Sequence, residues 1–132
     1  MEININCDLG EKSKHHSNKH DPDLLEIVNS ANVACGYHAG DDESMNQVVQ
    51  ISKKNGVSIG AHPSFNDPEN FGRQRMNRPS SEVRQLIINQ YEILQKIAQL
   101  MQQIPWALLL LGFLNVELAY SHLSHQEKAC QQ

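Results

Sequence analysis

Hydrophobic and polar residues follow two spacings along the chain, and these predict strands and helices in turn. Short segments with apolar residues at every second position, or with a brief continuous apolar run, are typical of strands. The predicted strands cover residues 2–8, 32–36 and 57–61. Apolar residues at helical spacing predict helices that begin at Asp21, at Asp41 or Asp42, and at Ser80. Strands and helices that alternate in this way are expected to form a parallel sheet with right-handed crossovers.

Residues near the predicted helix ends support these boundaries. Asp21 offers an N-cap, and Pro22 follows at the first helical position, where proline is favoured. Gly56 lies just beyond the second helix, where a left-handed C-cap favours glycine. The third helix is the longest, and its apolar stripe consists of Val83, Leu86, Ile87, Tyr91, Leu94, Ile97, Ala98 and Met101.

Length and composition narrow the function classes. The chain has 132 residues, 39% of them hydrophobic, and a net charge of −4, which excludes nucleic-acid binding through a basic surface. The longest apolar run, at 106–114, has nine residues, whereas a membrane span needs ~20, so no membrane helix is predicted. Cys7, Cys35 and Cys130 have no close partner in sequence, and with no apolar signal segment they predict a cytoplasmic protein with reduced thiols.

Three chemically capable residues follow the three predicted strands. Asp8 lies at the carboxyl end of the first strand, His38 just past the second and His62 just past the third. Loops at the carboxyl ends of parallel strands converge on one rim, where α/β folds carry their functional sites. A carboxylate can orient an imidazole, and a histidine can transfer protons near neutral pH. The same three residues are a possible divalent-metal set, so acid–base catalysis and metal binding are both open.

Charged residues in the neighbouring loops are candidates for substrate binding, and each also has a structural interpretation. Glu11 can face a substrate or be a solvated loop residue, and Asp41 can face a substrate or cap a helix. Asp42 is interpreted as a helix-capping residue. Arg73 can bind a carboxylate or phosphate in a bidentate manner, or lie on the surface.

A second histidine group, His15, His16 and His20, lies in a run of lysine, serine and asparagine residues. The run has no hydrophobic periodicity, which favours a solvated loop over a metal site. No glycine-rich phosphate-binding motif follows the first strand, so a nucleotide-binding start is disfavoured. Neither Cys7 nor Cys35 is assigned a nucleophilic role.

Three sequence blocks resemble the LamB/YcsF family, the A subunit of prokaryotic ATP-hydrolysing 5-oxoprolinase. The blocks are NCDLGE at 6–11, SANVACGYHAGD at 30–41 and GAHPSFNDPENFGR at 60–73, and the resemblance covers about residues 1–100. It implies a partial, irregular β/α barrel of the polysaccharide-deacetylase-like type. It also implies cleavage of 5-oxoproline to L-glutamate, with ATP as co-substrate and subunits B and C as partners. Asp8, His38 and His62 are then candidate acid–base or water-positioning groups.

The carboxyl-terminal part of the chain departs from this family. Relatives continue after the long helix into a Lys-Pro-His-Gly block, and no such block occurs here. We therefore expect residues 1–103 to be the amino-terminal portion of a barrel like that of the 5-oxoprolinase A subunit, truncated or frameshifted after about residue 100. Residues 104–132 are expected to be an unmatched tail, and no role is transferred to His122 or His125. An inactive remnant and a metal-dependent deacetylase-like hydrolase remain the alternatives.

Overall fold

Strands and helices alternate along residues 3–100, the part of the chain that this computed structural model describes. The elements are β1 (Asn6–Leu9), α1 (Asp21–Leu24), β2 (Ser30–Ala34), α2 (Asp42–Asn55), β3 (Ser58–His62) and α3 (Ser80–Leu100). Their order and type confirm the prediction from hydrophobic spacing. The predicted tail, the apolar run at 106–114 and Cys130 lie outside the described residues.

The three strands form a parallel sheet in the order β1-β2-β3. Asp8 pairs with Asn32, which in turn pairs with Gly60, so these three positions lie side by side across the sheet. All carboxyl ends therefore point to the same rim. Parallel strands with intervening helices confirm the predicted α/β class.

The core lies between the sheet and helices α2 and α3. Leu9 and Val33 from the strands meet Met45, Val48 and Val49 of α2, all at most 1% exposed. Helix α3 adds its predicted stripe through Val83, Ile87, Leu94 and Ile97. Full burial of such a side chain contributes roughly 1.5–3 kcal/mol. The packed helices fix the strands, and the strands fix the loops at the rim.

The structure confirms both predicted ends of α2. Asp41 is the N-cap, because its Oδ1 accepts a hydrogen bond from the Ser44 amide at 2.8 Å. Gly56 is the C-cap and has the left-handed φ of 70°.

The prediction for the first helix was wrong in two respects. The apolar residues at 24–28 predict a helix that ends near Ser30, but α1 is a single turn that ends at Leu24, and Ile27 is 67% exposed. Its N-cap is His20, with no side-chain capping bond, and Asp21 lies inside the turn. Asp21 instead turns towards β1, where its Oδ2 accepts a hydrogen bond from the Gly10 amide at 2.7 Å. A buried amide needs a partner, and this need takes the carboxylate away from the helix end.

No helix within residues 3–100 combines the length and the apolar character needed to cross a bilayer.

Candidate functional site

The carboxyl ends of the three strands bring Glu11, His38 and His62 together. Glu11 lies two residues past β1, His38 lies in the loop after β2, and His62 is the last residue of β3. Glu11 Oε1 lies 3.1 Å from His38 Nε2 and 3.6 Å from His62 Nδ1. One potential ligand atom of each residue lies within 4.8 Å of those of the other two. We call these three residues the rim cluster.

Asp8 flanks the rim cluster on its more exposed side. Its Oδ1 lies 3.7 Å from His62 Nδ1 and accepts a hydrogen bond from Asn32 Nδ2 at 2.9 Å. The Asp8 side chain is 51% exposed, whereas that of Glu11 is 12% exposed. The structure therefore brings Asp8, His38 and His62 to one rim, as predicted, but places Glu11 at the centre.

Burial controls the charge state of His38. Its side chain is 2% exposed, and this desolvation lowers the pKa of His38 despite the opposing hydrogen bond to Glu11. A lowered pKa keeps the imidazole neutral near pH 7, which leaves it able to accept a proton or bind a metal. The His62 ring lies 4.8 Å from the His38 ring between centroids. The rim cluster thus joins a buried imidazole with a more accessible one.

Two glycine turns bring Glu11 to the histidines. Gly10 has a φ of 73° and donates its amide to Asp21, and Gly40 has a φ of 81° and donates its amide to the Lys12 carbonyl at 2.8 Å. Both φ values lie in the left-handed region that glycine adopts without strain. The β1 and β2 loops are tied together by these contacts, so the backbone holds Glu11 against His38.

The loop after β3 covers the buried side of the rim cluster. The Phe71 ring meets the His38 ring edge-on at 5.2 Å, and the Arg73 guanidinium lies 5.4 Å from the centre of the Phe71 ring. Asp67 stabilises the loop, because its carbonyl accepts the Gly72 amide at 2.8 Å and its carboxylate accepts the Gln74 amide at 3.1 Å. Although desolvation acts to raise the pKa of Asp67, the hydrogen bonds to its carboxylate hold that pKa below its ordinary value.

The LamB/YcsF family model matches residues 3–107, most of the chain. This chain belongs to the LamB/YcsF family.

Relatives of this LamB/YcsF chain include two named as the A subunit of 5-oxoprolinase. The chain is 47% identical over 90 residues to the protein of Staphylococcus epidermidis, and the match covers 68% of this chain and 36% of that one. It is 39% identical over 100 residues to the protein of Staphylococcus carnosus, and the match covers 76% of this chain and 40% of the relative. The chain therefore spans less than half the length of these curated relatives.

A solved structure is similar as well. The crystal structure of the lactam utilization protein from Thermus thermophilus is 33% identical, with a TM-score of 0.72. The match covers 79% of this chain and 42% of that one.

Each family block supplies a different part of the site in this LamB/YcsF chain. NCDLGE carries Asp8 and Glu11, SANVACGYHAGD carries His38, and GAHPSFNDPENFGR carries His62 and the covering loop. The sequence blocks are thus distant along the chain but adjacent at the rim.

Two predicted substrate-binding residues lie beside the rim cluster. Asp41 accepts hydrogen bonds from the Ser44 amide and hydroxyl, and its Oδ2 lies 3.3 Å from Lys12 Nζ. Arg73 is exposed on the covering loop. Asp42, the first residue of α2, is exposed. Substrate contact by Asp41 and Arg73 stays a prediction.

Cys7 and Cys35, the cysteines within residues 3–100, lie in environments that keep a thiol protonated. Burial raises the pKa of the Cys35 thiol to about 12, although the His62 backbone amide donates a hydrogen bond to it. Burial, followed by the charge of Asp8, also raises the pKa of Cys7. Both thiols are protonated at neutral pH.

Sequence reasoning missed three supporting residues. Asn32 orients Asp8, Phe71 covers His38, and Gln90 of α3 bonds both backbone groups of Ser64. Gln90 was detectable, since it is a polar residue on the apolar stripe of α3 and is fully buried. The contact of Phe71 depends on a left-handed φ of 59°, which its sequence does not indicate.

Proposed function

We propose that this chain supplies A-subunit residues of an ATP-dependent 5-oxoprolinase, which cleaves 5-oxoproline to L-glutamate. The observation that carries the proposal is the rim cluster, in which the buried His38 bonds Glu11 beside the accessible His62. Relatives named as the A subunit of 5-oxoprolinase and a neighbour named a lactam utilization protein support the substrate class.

Hydrolysis of a five-membered lactam is difficult because the ring contains an unactivated amide. In the proposed reaction, coupling to ATP activates the carbonyl oxygen of that amide before water attacks. His62 is partly exposed and lies near the Asp8 carboxylate, which suits it to accept the proton of the attacking water. In this proposal His38 and Glu11 position His62 and the reacting water from the buried side.

Arg73 is the candidate partner for the carboxylate of 5-oxoproline. Its guanidinium lies over the Phe71 ring, and the same ring contacts His38. Arginine binds carboxylates in a bidentate manner, which would fix the orientation of the lactam at the rim. Asp41 is the second candidate for a polar substrate contact, although its hydrogen bonds to Ser44 and its ion pair with Lys12 already occupy its carboxylate.

We also propose the fold of the whole protein, its partner subunits and its location in the cell. The parallel strands follow one another around the sheet in chain order, which suits one arc of an irregular β/α barrel of the polysaccharide-deacetylase-like type. Subunits B and C would complete the ATP-dependent enzyme. The free thiols of Cys7 and Cys35 support a cytoplasmic location.

The test is reconstitution with partner B and C subunits, measuring 5-oxoproline-dependent ATP hydrolysis and glutamate formation. We expect turnover with the folded chain, and a loss of about 100-fold in His62→Ala because general acid–base catalysis typically contributes 10²–10⁴-fold. His15→Ala, which changes an exposed loop histidine, is the matched control and should retain full activity.

Two outcomes would replace the proposal. Turnover no greater than in a mixture without this chain would favour an inactive remnant. Glutamate formation that needs no ATP would instead favour a metal-dependent hydrolase of the deacetylase-like kind, the class that a set of two histidines and a carboxylate also suits.

A further inference from the structure

We propose that Glu11, His38 and His62 bind one divalent transition-metal ion. The inference goes beyond the proposed function, because metal binding can be present or absent whether or not the chain acts on a lactam. With an ion on His62 Nδ1, the Asp8 carboxylate beside it would replace His62 as the acceptor of the water's proton. The distances of Glu11 Oε1 from His38 Nε2 and His62 Nδ1 are 3.1 and 3.6 Å. Ligands of a tetrahedral zinc ion lie roughly 3.4 Å from one another, since each lies ~2.1 Å from the metal. The two distances to Glu11 bracket that spacing.

The Nδ1 atom of His62 lacks a bonding partner within the described residues, which indicates room for a ligand. His62 Nδ1 is shielded from solvent and has no hydrogen-bond partner among residues 3–100. It lies 3.6 Å from Glu11 Oε1 and 3.7 Å from Asp8 Oδ1, too far for a hydrogen bond to either. A buried nitrogen without a partner is destabilising. A cation between His62 and Glu11 would give both a partner at once.

The local charge favours a cation at this point. Glu11 and Asp8 place two carboxylates near His62. Lys12, the neighbour of Glu11 in sequence, extends away and pairs with Asp41 at 3.3 Å and Glu43 at 3.6 Å. The lysine charge is therefore already neutralised by other carboxylates.

The donor atoms indicate the class of metal. Two imidazoles and one carboxylate suit zinc and neighbouring transition metals, whereas magnesium and calcium prefer oxygen ligands alone. Three protein ligands leave a fourth position for water or substrate, as in catalytic zinc sites. Asp8, oriented by Asn32, lies beside His62 and can accept a hydrogen bond from a water bound there. The structure therefore assigns a site for Zn²⁺ or a similar ion, with Asp8 next to it.

The test measures binding of Zn²⁺ alone to the full 132-residue chain after removal of metals with a chelator. Equilibrium dialysis with elemental analysis gives the stoichiometry, and calorimetric titration gives the affinity in the presence of excess Mg²⁺. We expect one equivalent of Zn²⁺ at neutral pH. Glu11→Gln and His62→Ala should each weaken binding at least about tenfold, since even outer-shell partners of metal ligands contribute 10–100-fold.

The chain contains its own matched control. His15, His16 and His20 are exposed, and replacing all three with alanine should leave the affinity unchanged. Circular dichroism checks that each variant keeps its helices. Glu11→Gln decides the question if His62→Ala does not fold, because glutamine keeps the size of glutamate and can still bond His38.

Three results would overturn the proposed metal site. Absence of a bound equivalent in the folded wild-type chain would overturn the proposal, and so would equal affinity in Glu11→Gln and the wild type. Loss of binding only in the triple loop variant would move the site to the loop and overturn it as well. Because the titration contains neither substrate nor ATP nor the B and C subunits, a failed reconstitution of 5-oxoprolinase activity leaves this result intact.

Discussion

Two groups of histidines occur within residues 3–100, and they differ in burial and in position relative to the sheet. His38 and His62 follow parallel strands and converge on Glu11, whereas His15, His16 and His20 are exposed on the loop after β1. The loop group is denser in the sequence. The position of a histidine relative to the sheet therefore decides whether it joins a site, and local enrichment of histidine in the sequence does not.

The two groups also differ in what holds them. His38 is fixed by a hydrogen bond to Glu11 and by the edge of Phe71. In the loop, His20 Nδ1 lies 3.6 Å from the exposed Asp23, and such a surface contact contributes little. The rim cluster is therefore preorganised by the surrounding backbone. Variants that disturb that backbone should affect His38 and His62 more than the loop histidines, one of which, His16, lies 6.3 Å from the same Phe71 ring between centroids.

The largest expected effect comes from Gly40→Ala, which attacks the contact between the β1 and β2 loops. An added Cβ would overlap the Gly10 carbonyl oxygen, and φ is 81°. Left-handed strain of roughly 1–2 kcal/mol and overpacking of roughly 1–3 kcal/mol together predict a loss of about 3 kcal/mol in unfolding free energy. Urea denaturation measures the loss. Imidazole NMR resonances should shift for His38 and His62 and stay in place for the loop histidines.

Gly56→Ala is the matched control for that substitution. Its φ is 70°, but no atom lies within 4 Å of the position that an added Cβ would take. Only the backbone strain of about 1 kcal/mol should remain, with no change at either histidine group. Equal losses in the two variants would show that the contact between the loops does not hold the rim cluster.

Gln90→Leu should have the next largest effect, because it releases the segment that follows His62. The Gln90 side-chain amide accepts a hydrogen bond from the Ser64 backbone amide at 2.9 Å and donates one to the Ser64 carbonyl at 2.8 Å. Leucine would leave both backbone groups of Ser64 without their partner, and each unsatisfied group costs roughly 1–3 kcal/mol. Because the buried apolar side chain offsets part of this cost, we expect a net loss of about 2 kcal/mol in unfolding free energy. Thermal unfolding checks the loss, and the His62 resonance should broaden or shift.

Gln85→Leu tests whether the stability loss in Gln90→Leu comes from the buried position of Gln90. Gln85 is exposed on the same helix, where its side chain donates a hydrogen bond to Asn89. Its replacement should change stability by less than about 0.5 kcal/mol. A similar loss in both variants would mean that helix α3 responds to any leucine, and that Ser64 is not the cause.

The element order of this fold could be predicted because its signals are local. Helix α3 has an apolar stripe over its whole length, and α2 has both a capping aspartate and a C-cap glycine. Helix α1 could not be predicted in length, since its apolar residues suit a helix while the chain stops after one turn. Its N-cap could not be predicted either, because Asp21 bonds the Gly10 amide across the loop and does not cap the turn.

The candidate site could be predicted to the level of the rim but not to its centre. Asp8, His38 and His62 were identified from their places at strand ends, which topology alone determines. The central place of Glu11 depends on the left-handed turn at Gly10 and on the buried Asp21 that bonds it. Neither the turn nor the long-range hydrogen bond has a local sequence signal, so Glu11 was also consistent with a solvated loop residue.

The smallest effect is expected from Asp41, which shares a loop with His38 but bonds elsewhere. Asp41→Ala removes the N-cap of α2 and should cost about 1 kcal/mol at neutral pH. Hydrogen bonds from the Ser44 hydroxyl and amide, with Lys12 nearby, lower the pKa of Asp41 from its ordinary 3.8. A lowered pKa means that the stabilisation is complete above that ordinary value and is lost as the pH falls through the lower folded value.

The acid limb of the stability curve therefore distinguishes two replacements of Asp41. Asp41→Asn keeps an acceptor for the Ser44 amide and should lose less stability on acidification than the wild type, whereas Asp41→Ala starts lower and is equally insensitive to pH. Urea denaturation between about pH 7 and pH 3 measures both. Since the Asp41 carboxylate bonds Ser44 and Lys12, neither variant should shift the His38 or His62 resonance at neutral pH. A shift there would show that the α2 N-cap is coupled to the rim cluster. The backbone that preorganises His38 and His62 would then include the first turn of α2 as well as the glycine turns.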